Sequence, residues 1–193
     1  MGALIIPFGT VSASAASRTI TAVAASKGWN IPGLKCAQLI FHNETDAERF
    51  APQTARFTGA TSTLGARAAR VCYEQARGWN DEMRRYIADM RDEVYERVNS
   101  WDGVRMSHIE STYIAFVDFS GIAERGVFGE QSPAQWLREN AKVSLTAGDL
   151  CGSDYASWAR MTFANSRPVL NEALDRIETA LQEMASQGVA CKQ

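Results

Sequence analysis

Between residues 80 and 101, apolar side chains recur every three or four positions: Met83, Ile87, Met90, Val94, Val98 and Trp101. That period puts them on one face of a helix and leaves the charges on the other. Glu93 and Arg97 stand one turn apart on the charged face, the spacing of an i,i+4 ion pair. A second stripe, Leu170, Leu174, Ile177, Leu181 and Met184, predicts a terminal helix opened by Pro168 and ended before Gly188. SPAQWLRENA at 132–141 predicts a shorter helix. Ser132 is its N-cap, and Pro133 takes the first helical position, where a missing N–H loses no hydrogen bond.

Other stretches carry the residue types of strands. TITAV at 19–23 is β-branched and bounded by small or polar residues, so it reads as a short buried strand. AQLIF at 37–41, YIAFVDF at 113–119 and WARMTFA at 158–164 read the same way, and KVSLTAG as a short strand and turn. Residues 45–78 are helical but interrupted at Pro52, with a fresh start inside TGATSTLG. From residue 103 the order is strand, helix, strand, strand, helix, a compact α+β unit. The whole chain reads as α/β, with three parts: 1–78, a long linking helix at 79–102, and 103–193.

Bulk properties narrow the function. With 193 residues, 46% of them hydrophobic, the chain can bury a core. A net charge of −2 with no basic stripe argues against nucleic acid as the main partner. No apolar run reaches the ~20 residues of a membrane-spanning helix. Cys36, Cys72, Cys151 and Cys191 are scattered with no C-x-x-C pair, which suits a reducing cytoplasm. The apolar N-terminus lacks the positive start of a secretion signal and is broken at Pro7.

Two cations stand out. Lys27 follows the first strand, between small residues and the stiff N-I-P-G turn, with a second lysine at Lys35. A lysine at a strand end is placed where α/β proteins bind ligands, and desolvation or a neighbouring cation makes it nucleophilic. Read from the residues alone, a loop lysine such as Lys27 is more often a solvated surface charge than a reactive amine. Arg160 interrupts the apolar strand WARMTF, where a planar fork suits a bidentate carboxylate. An internal salt bridge or an edge position explains it too. His42 and His108 are the only histidines, and neither has a ligand-like spacing to other donors, so no metal site is expected.

The stretch A-S-K-G-W-N-I-P-G-L-K-C-A around Lys27 resembles the lysine motif of fold-type I pyridoxal-phosphate enzymes, the class I/II aminotransferase superfamily. Within it, S-K-x-x-N-I-P-G-L resembles the cystathionine β-lyase-like C–S lyases. ESTYIAFVD (110–118), AKVSLTAGDLCG (141–152) and WARMTFANSRPVLNEALDRI (158–177) resemble three further motifs of that family, in the family's order. The resemblance implies pyridoxal 5'-phosphate as cofactor and Lys27 as the residue that joins it through a Schiff base. Ser26 and Lys35 would lie at the cofactor, and Arg160 would clamp the substrate α-carboxylate. It also implies a small sulfur-containing amino acid as substrate, α,β-elimination as the reaction and transamination as the alternative, and a homodimer for the full-length enzyme. Four positions depart from the pattern: Ala24 stands where Gly or Ser is usual, Lys35 where Arg is usual, Cys36 where many members have an aliphatic residue, and Cys151 where Phe is common. Only the C-terminal half of such an enzyme is resembled: the end of the large domain and then the small domain. A second alternative is therefore a non-catalytic or split half.

Overall fold

β-Branched residues at 20–23 and an aliphatic run at 38–41 make two extended segments, and they find each other. A computed structural model describes residues 5–57, 59 and 61–190. In it β1 (Ile20–Val23) and β2 (Gln38–Phe41) form an antiparallel ribbon, with Ile20 opposite Phe41 and Val23 opposite Gln38. A single helical turn, α1 (Ala13–Ala16), precedes β1, and another, α2 (Ala25–Gly28), follows it. After β2 come α3 (Glu44–Phe50), α4 (Thr54–Phe57) and α5 (Thr63–Gln75). Asn43 caps α3 by accepting from the Asp46 N–H at 2.8 Å, and Ser62 caps α5 by accepting from Gly65. Pro52 sits in a 3-10 turn between α3 and α4, a position that spares the chain a lost helical hydrogen bond.

The chain divides into two compact units at Arg84–Arg85. The division falls within the long helix α6 (Arg77–Ser100). The first unit has a thin interior: Ala25, Ala69 and Cys72 are buried together, flanked by Trp29, Ile31, Cys36 and Tyr73. β1 is mostly exposed along its length, which corrects the expectation of a buried strand. TITAV has the composition of a buried strand, but composition does not supply a covering layer.

The second unit is built on a four-stranded antiparallel sheet in the order β3 (Arg105–Met106), β4 (Ile114–Asp118), β6 (Trp158–Thr162), β5 (Thr146–Ala147). β3 was not foreseen; two residues are too few to show a period. A short turn, α7 (Ser120–Ala123), follows β4, then α8 (Pro133–Asn140), and α9 (Arg167–Ala190) closes the described chain. Alternation divides the sheet. Ala115 and Val117 of β4 face the core with Ala159 and Met161 of β6, and they meet Met90, Val94 and Val98 of α6 and Leu170, Leu174 and Ile177 of α9. The Ser132 hydroxyl accepts from Gln135 N–H, and Pro133 opens α8, as the sequence predicts.

Two details differ. Glu93 and Arg97 do not pair with each other: Glu93 bonds Arg167, and Arg97 bonds Asp175 at 2.8 Å and Glu178 at 2.7 Å. An i,i+4 pair contributes only a few tenths of a kcal/mol, so partners on a packed helix displace it. Gly188 lies inside α9, not beyond it. The glycine penalty in a helix, about 1 kcal/mol, is small against a helix already under way.

Candidate functional site

The turn that carries Lys27 is short, and it is pinned by contacts distant in sequence. Val23 ends β1, and Ala24 stays extended at φ −151° before the chain turns into α2. The Ala25 side chain, 1% exposed, packs into the small core beside Ala69 and Cys72 of α5. Trp29 N–H donates to the Ala25 carbonyl at 3.0 Å, and Ile31 N–H to that of Ser26 at 2.9 Å. The Trp29 indole N–H donates to the Ala76 carbonyl at 2.9 Å, and the Asn80 amide donates to the Gly28 carbonyl at 2.6 Å. Trp29 also meets Tyr73 edge-on at 5.2 Å. Burial, reinforced by the Cys36 and Cys72 thiols, pushes the Tyr73 hydroxyl above its ordinary pKa and keeps it neutral there.

The pinned backbone leaves Lys27 exposed, and its ammonium has no hydrogen bond or ion pair among the described residues. Ser26 beside it is half-buried. Lys35 closes the Pro32–Leu34 turn in the left-handed conformation, φ 46°, and is exposed. That turn lies directly on α5: a Cβ at Gly65 would stand 2.2 Å from the Leu34 carbonyl oxygen. Alanine ordinarily stabilises a helix interior over glycine by about 1 kcal/mol. Here the overlap is with backbone, and overpacking of this kind costs about 1–3 kcal/mol, so the clash wins. Gly65→Ala is expected to destabilise the turn, read as faster amide exchange at residues 29–36 and a lower unfolding midpoint; an unchanged or raised midpoint refutes it.

Arg160 lies in the second unit, at the middle of β6. It stands opposite Phe116 of β4 and Thr146 of β5, on the side of the sheet away from the core. It is exposed and has no hydrogen bond or ion pair among the described residues. β6 is an inner strand, so neither an internal salt bridge nor an edge position accounts for the arginine. It lines a groove of about 370 Å³ with Ser144, Thr146, Thr162, Asn165 and Leu170. Five uncommitted N–H donors in a groove of mixed polar and apolar walls suit a carboxylate on a small organic ligand.

An aromatic cluster on the same face was not singled out from the sequence. Phe116, Tyr155 and Trp158 lie 4.9–5.7 Å apart, centre to centre. Its signal was available: period-2 alternation in YIAFVDF and WARMTF puts Phe116 and Trp158 on the side of Arg160. The anchors Asn80 and Trp29 had no such signal, because their partners are 52 and 47 residues away.

A larger cleft, about 490 Å³, lies between Asp102, Arg105, Asp118, Ser120, Glu124 and Arg125. Arg125 pairs with Asp102 at 2.6 Å and holds that carboxyl below its ordinary pKa. None of the residues singled out above lines it. His42 bonds the Thr21 hydroxyl at 2.9 Å, and His108 lies against Asp92 and Tyr95. Among the described residues no three His, Cys, Asp or Glu side chains are grouped to hold a metal, and no helix is long and apolar enough to cross a membrane.

Residues 6–177 match the family described as aminotransferase class I and II. The chain is 36% identical over 171 residues to a cystathionine beta-lyase of Corynebacterium glutamicum, covering 89% of this chain and 45% of that protein. It superposes with a TM-score of 0.82 and 35% identity on a Corynebacterium diphtheriae structure assigned as a PLP-dependent beta-cystathionase, over 90% of this chain and 45% of that one. A PLP-bound C-S lyase of Staphylococcus hominis gives 0.77 and 25%, over 86% and 42%. The chain thus spans a little under half the length of the relatives it matches.

Proposed function

The chain belongs to the aminotransferase class I and II family, and on that premise we propose that it carries the lysine-bearing and carboxylate-binding part of a pyridoxal-phosphate-dependent C–S lyase. The substrate is a small β-thio amino acid of the cystathionine type, and the products are a thiol, pyruvate and ammonia. Residues 1–78 are the end of the cofactor-binding large domain, 79–102 the linking helix and 103–193 the small domain. The full-length enzyme is a cytoplasmic homodimer.

The residues present fit the cofactor. An exposed lysine with an unengaged amine stands on a pinned turn, with a hydroxyl (Ser26) beside it and a second cation (Lys35) in the next turn. When bound, the cofactor supplies a pyridinium ring that accepts the electrons left at the substrate Cα. Lys27 would hold the cofactor aldehyde through its amine and would serve as the base for the substrate Cα proton. Ser26 and Lys35 offer a donor and a charge to the phosphate. Arg160 offers its planar fork to the substrate α-carboxylate.

The observation that carries this reading is the free Lys27 amine on a turn held by Ala25, Trp29 and Asn80. Its test is titration of the chain with pyridoxal phosphate, borohydride reduction and peptide mapping, with thiol and pyruvate assays on cystathionine. A single saturable label on the Lys27 peptide is expected. Labels spread evenly over several lysines would sink the cofactor assignment. A keto acid formed without thiol would replace elimination by transamination.

A further inference from the structure

The groove beside Arg160 holds more donors than one carboxylate needs. A single guanidinium fork already reaches both oxygens of a carboxylate. In the same groove the hydroxyls of Ser144, Thr146 and Thr162 have no hydrogen bond among the described residues. Asn165, just past the end of β6, lines it as well. Leu145 and Val169 are among its apolar walls, and no carboxylate lines it. A ligand held at Arg160 thus has both apolar surface and spare donors within reach of its far end.

Asn165 differs from the hydroxyls in being held. Its N–H donates to the Phe163 carbonyl at 2.8 Å, and its own carbonyl accepts from the Tyr86 hydroxyl of α6 at 2.9 Å. The Phe163 N–H donates to the Tyr113 carbonyl at 3.1 Å, which ties the same turn to the start of β4. The side chain is fixed too, because the Ser166 N–H donates to Asn165 Oδ1 at 3.0 Å. A backbone N–H only donates, so that contact identifies the amide oxygen and leaves Nδ2 as the free end. Nδ2 has no acceptor among the described residues. An exposed asparagine held at three points, with its donor uncommitted, is a reading group without its ligand.

We propose that Asn165 determines specificity: its Nδ2 donates to an oxygen acceptor on the sulfur-borne group of an amino acid whose α-carboxylate lies on Arg160. Tyr86 is the positioning residue that holds Asn165 in place. The ligand class is a β-thio amino acid with a carboxylate or carbonyl close beyond the sulfur. The reach is consistent. Arg160 and Thr162 are two residues apart on a strand, about 7 Å, and the Asn165-to-Phe163 hydrogen bond turns the chain back within three residues. This deepens the lyase reading and rests on Arg160 taking the α-carboxylate.

The experiment titrates the full chain by calorimetry with S-carboxymethyl-L-cysteine and S-isobutyl-L-cysteine. The two end in groups of the same branched shape, and only the first accepts a hydrogen bond there. The quantity read is the ratio of their affinities. Asn165→Asp keeps the oxygen that Ser166 needs and removes the donor; the ratio is expected to fall by about tenfold, the lower end for a bond to a charged group. Asn165→Ala separates the lost donor from added repulsion, and the ratio is expected to fall there too. Tyr86→Phe keeps the ring and loses the hydroxyl, with a smaller fall, about threefold, expected. A Tyr86 that merely supports the fold would weaken both ligands alike and leave the ratio unchanged. Arg160→Ala is expected to weaken both ligands together. If it does, and the ratio stays constant in both Asn165 variants, the proposal is overturned and the carboxylate reading stands. If Arg160→Ala leaves both affinities unchanged, or neither ligand binds the parent chain, the carboxylate reading falls and the proposal falls with it.

Discussion

Lys27→Ala is expected to remove the saturable pyridoxal-phosphate label completely while leaving the fold intact. The side chain is exposed and unpartnered, so its loss opens no cavity and strands no buried group. Everything that positions the turn lies elsewhere: in the Ala25 methyl, the Trp29 indole and the Asn80 amide. Substitution at an exposed site of this kind changes stability by about 0.5 kcal/mol or less, whereas the chemistry depends on one nitrogen. Lys27→Arg is the sharper control. It keeps the charge and most of the length, but a guanidinium stays protonated and cannot act as the amine. Both variants should unfold at the parent midpoint and give no label on the 24–36 peptide after reduction. Retention of the label in either variant would move the reactive lysine elsewhere, Lys35 being the first to map.

Asn80→Ala separates position from identity, and Trp29→Phe does so by a second route. Each leaves Lys27 in place but removes a hydrogen bond that fixes its turn. A single such bond contributes about 0.5–1.5 kcal/mol. A weakened, still Lys27-specific label is the expected signature of a loosened turn.

Long periodic elements were legible in the sequence because burial enforces their period. Met90, Val94 and Val98 of α6 and Leu170, Leu174 and Ile177 of α9 are buried as their spacing predicts. The cap of α8 was legible because it is local: Ser132 and Pro133 act within one turn. What escaped was tertiary. Glu93 and Arg97 matched on paper, yet each found a stronger partner on α9. TITAV had the residues of a buried strand, but whether a strand is buried is decided by what packs on it, and β1 is left mostly exposed. The same limit applies to the site. Lys27 and Arg160 could be singled out by type and setting. That Lys27 is held by residues 76 and 80, and that Arg160 shares its sheet face with Phe116 and Trp158, requires the folded chain.

The second large effect concerns Arg160. Its guanidinium faces a groove with no competing acid among the described residues, and Thr146 and Thr162 flank it on the same face. A carboxylate in that groove would take two parallel N–H···O bonds, each charge-assisted. Hydrogen bonds to charged groups contribute about 1.5–3 kcal/mol apiece. Arg160→Ala removes both and is expected to weaken the binding of an amino-acid carboxylate by about two orders of magnitude or more. Arg160→Lys retains a point charge but loses the fork, so the expected loss is smaller, about tenfold, and discrimination between a carboxylate and its amide falls with it. Stability should barely move, because the side chain is exposed and pairs with nothing. The measurement is ligand binding by calorimetry or Trp158 fluorescence with L-alanine and L-alaninamide, each with the parent chain and both variants. Since Trp158 lies two residues away on the same face, a carboxylate docking at Arg160 should change its emission. Equal affinity for the acid and the amide in the parent chain would show that the fork does not read a carboxylate. The groove would then need another ligand class to explain an inner-strand arginine left without a partner.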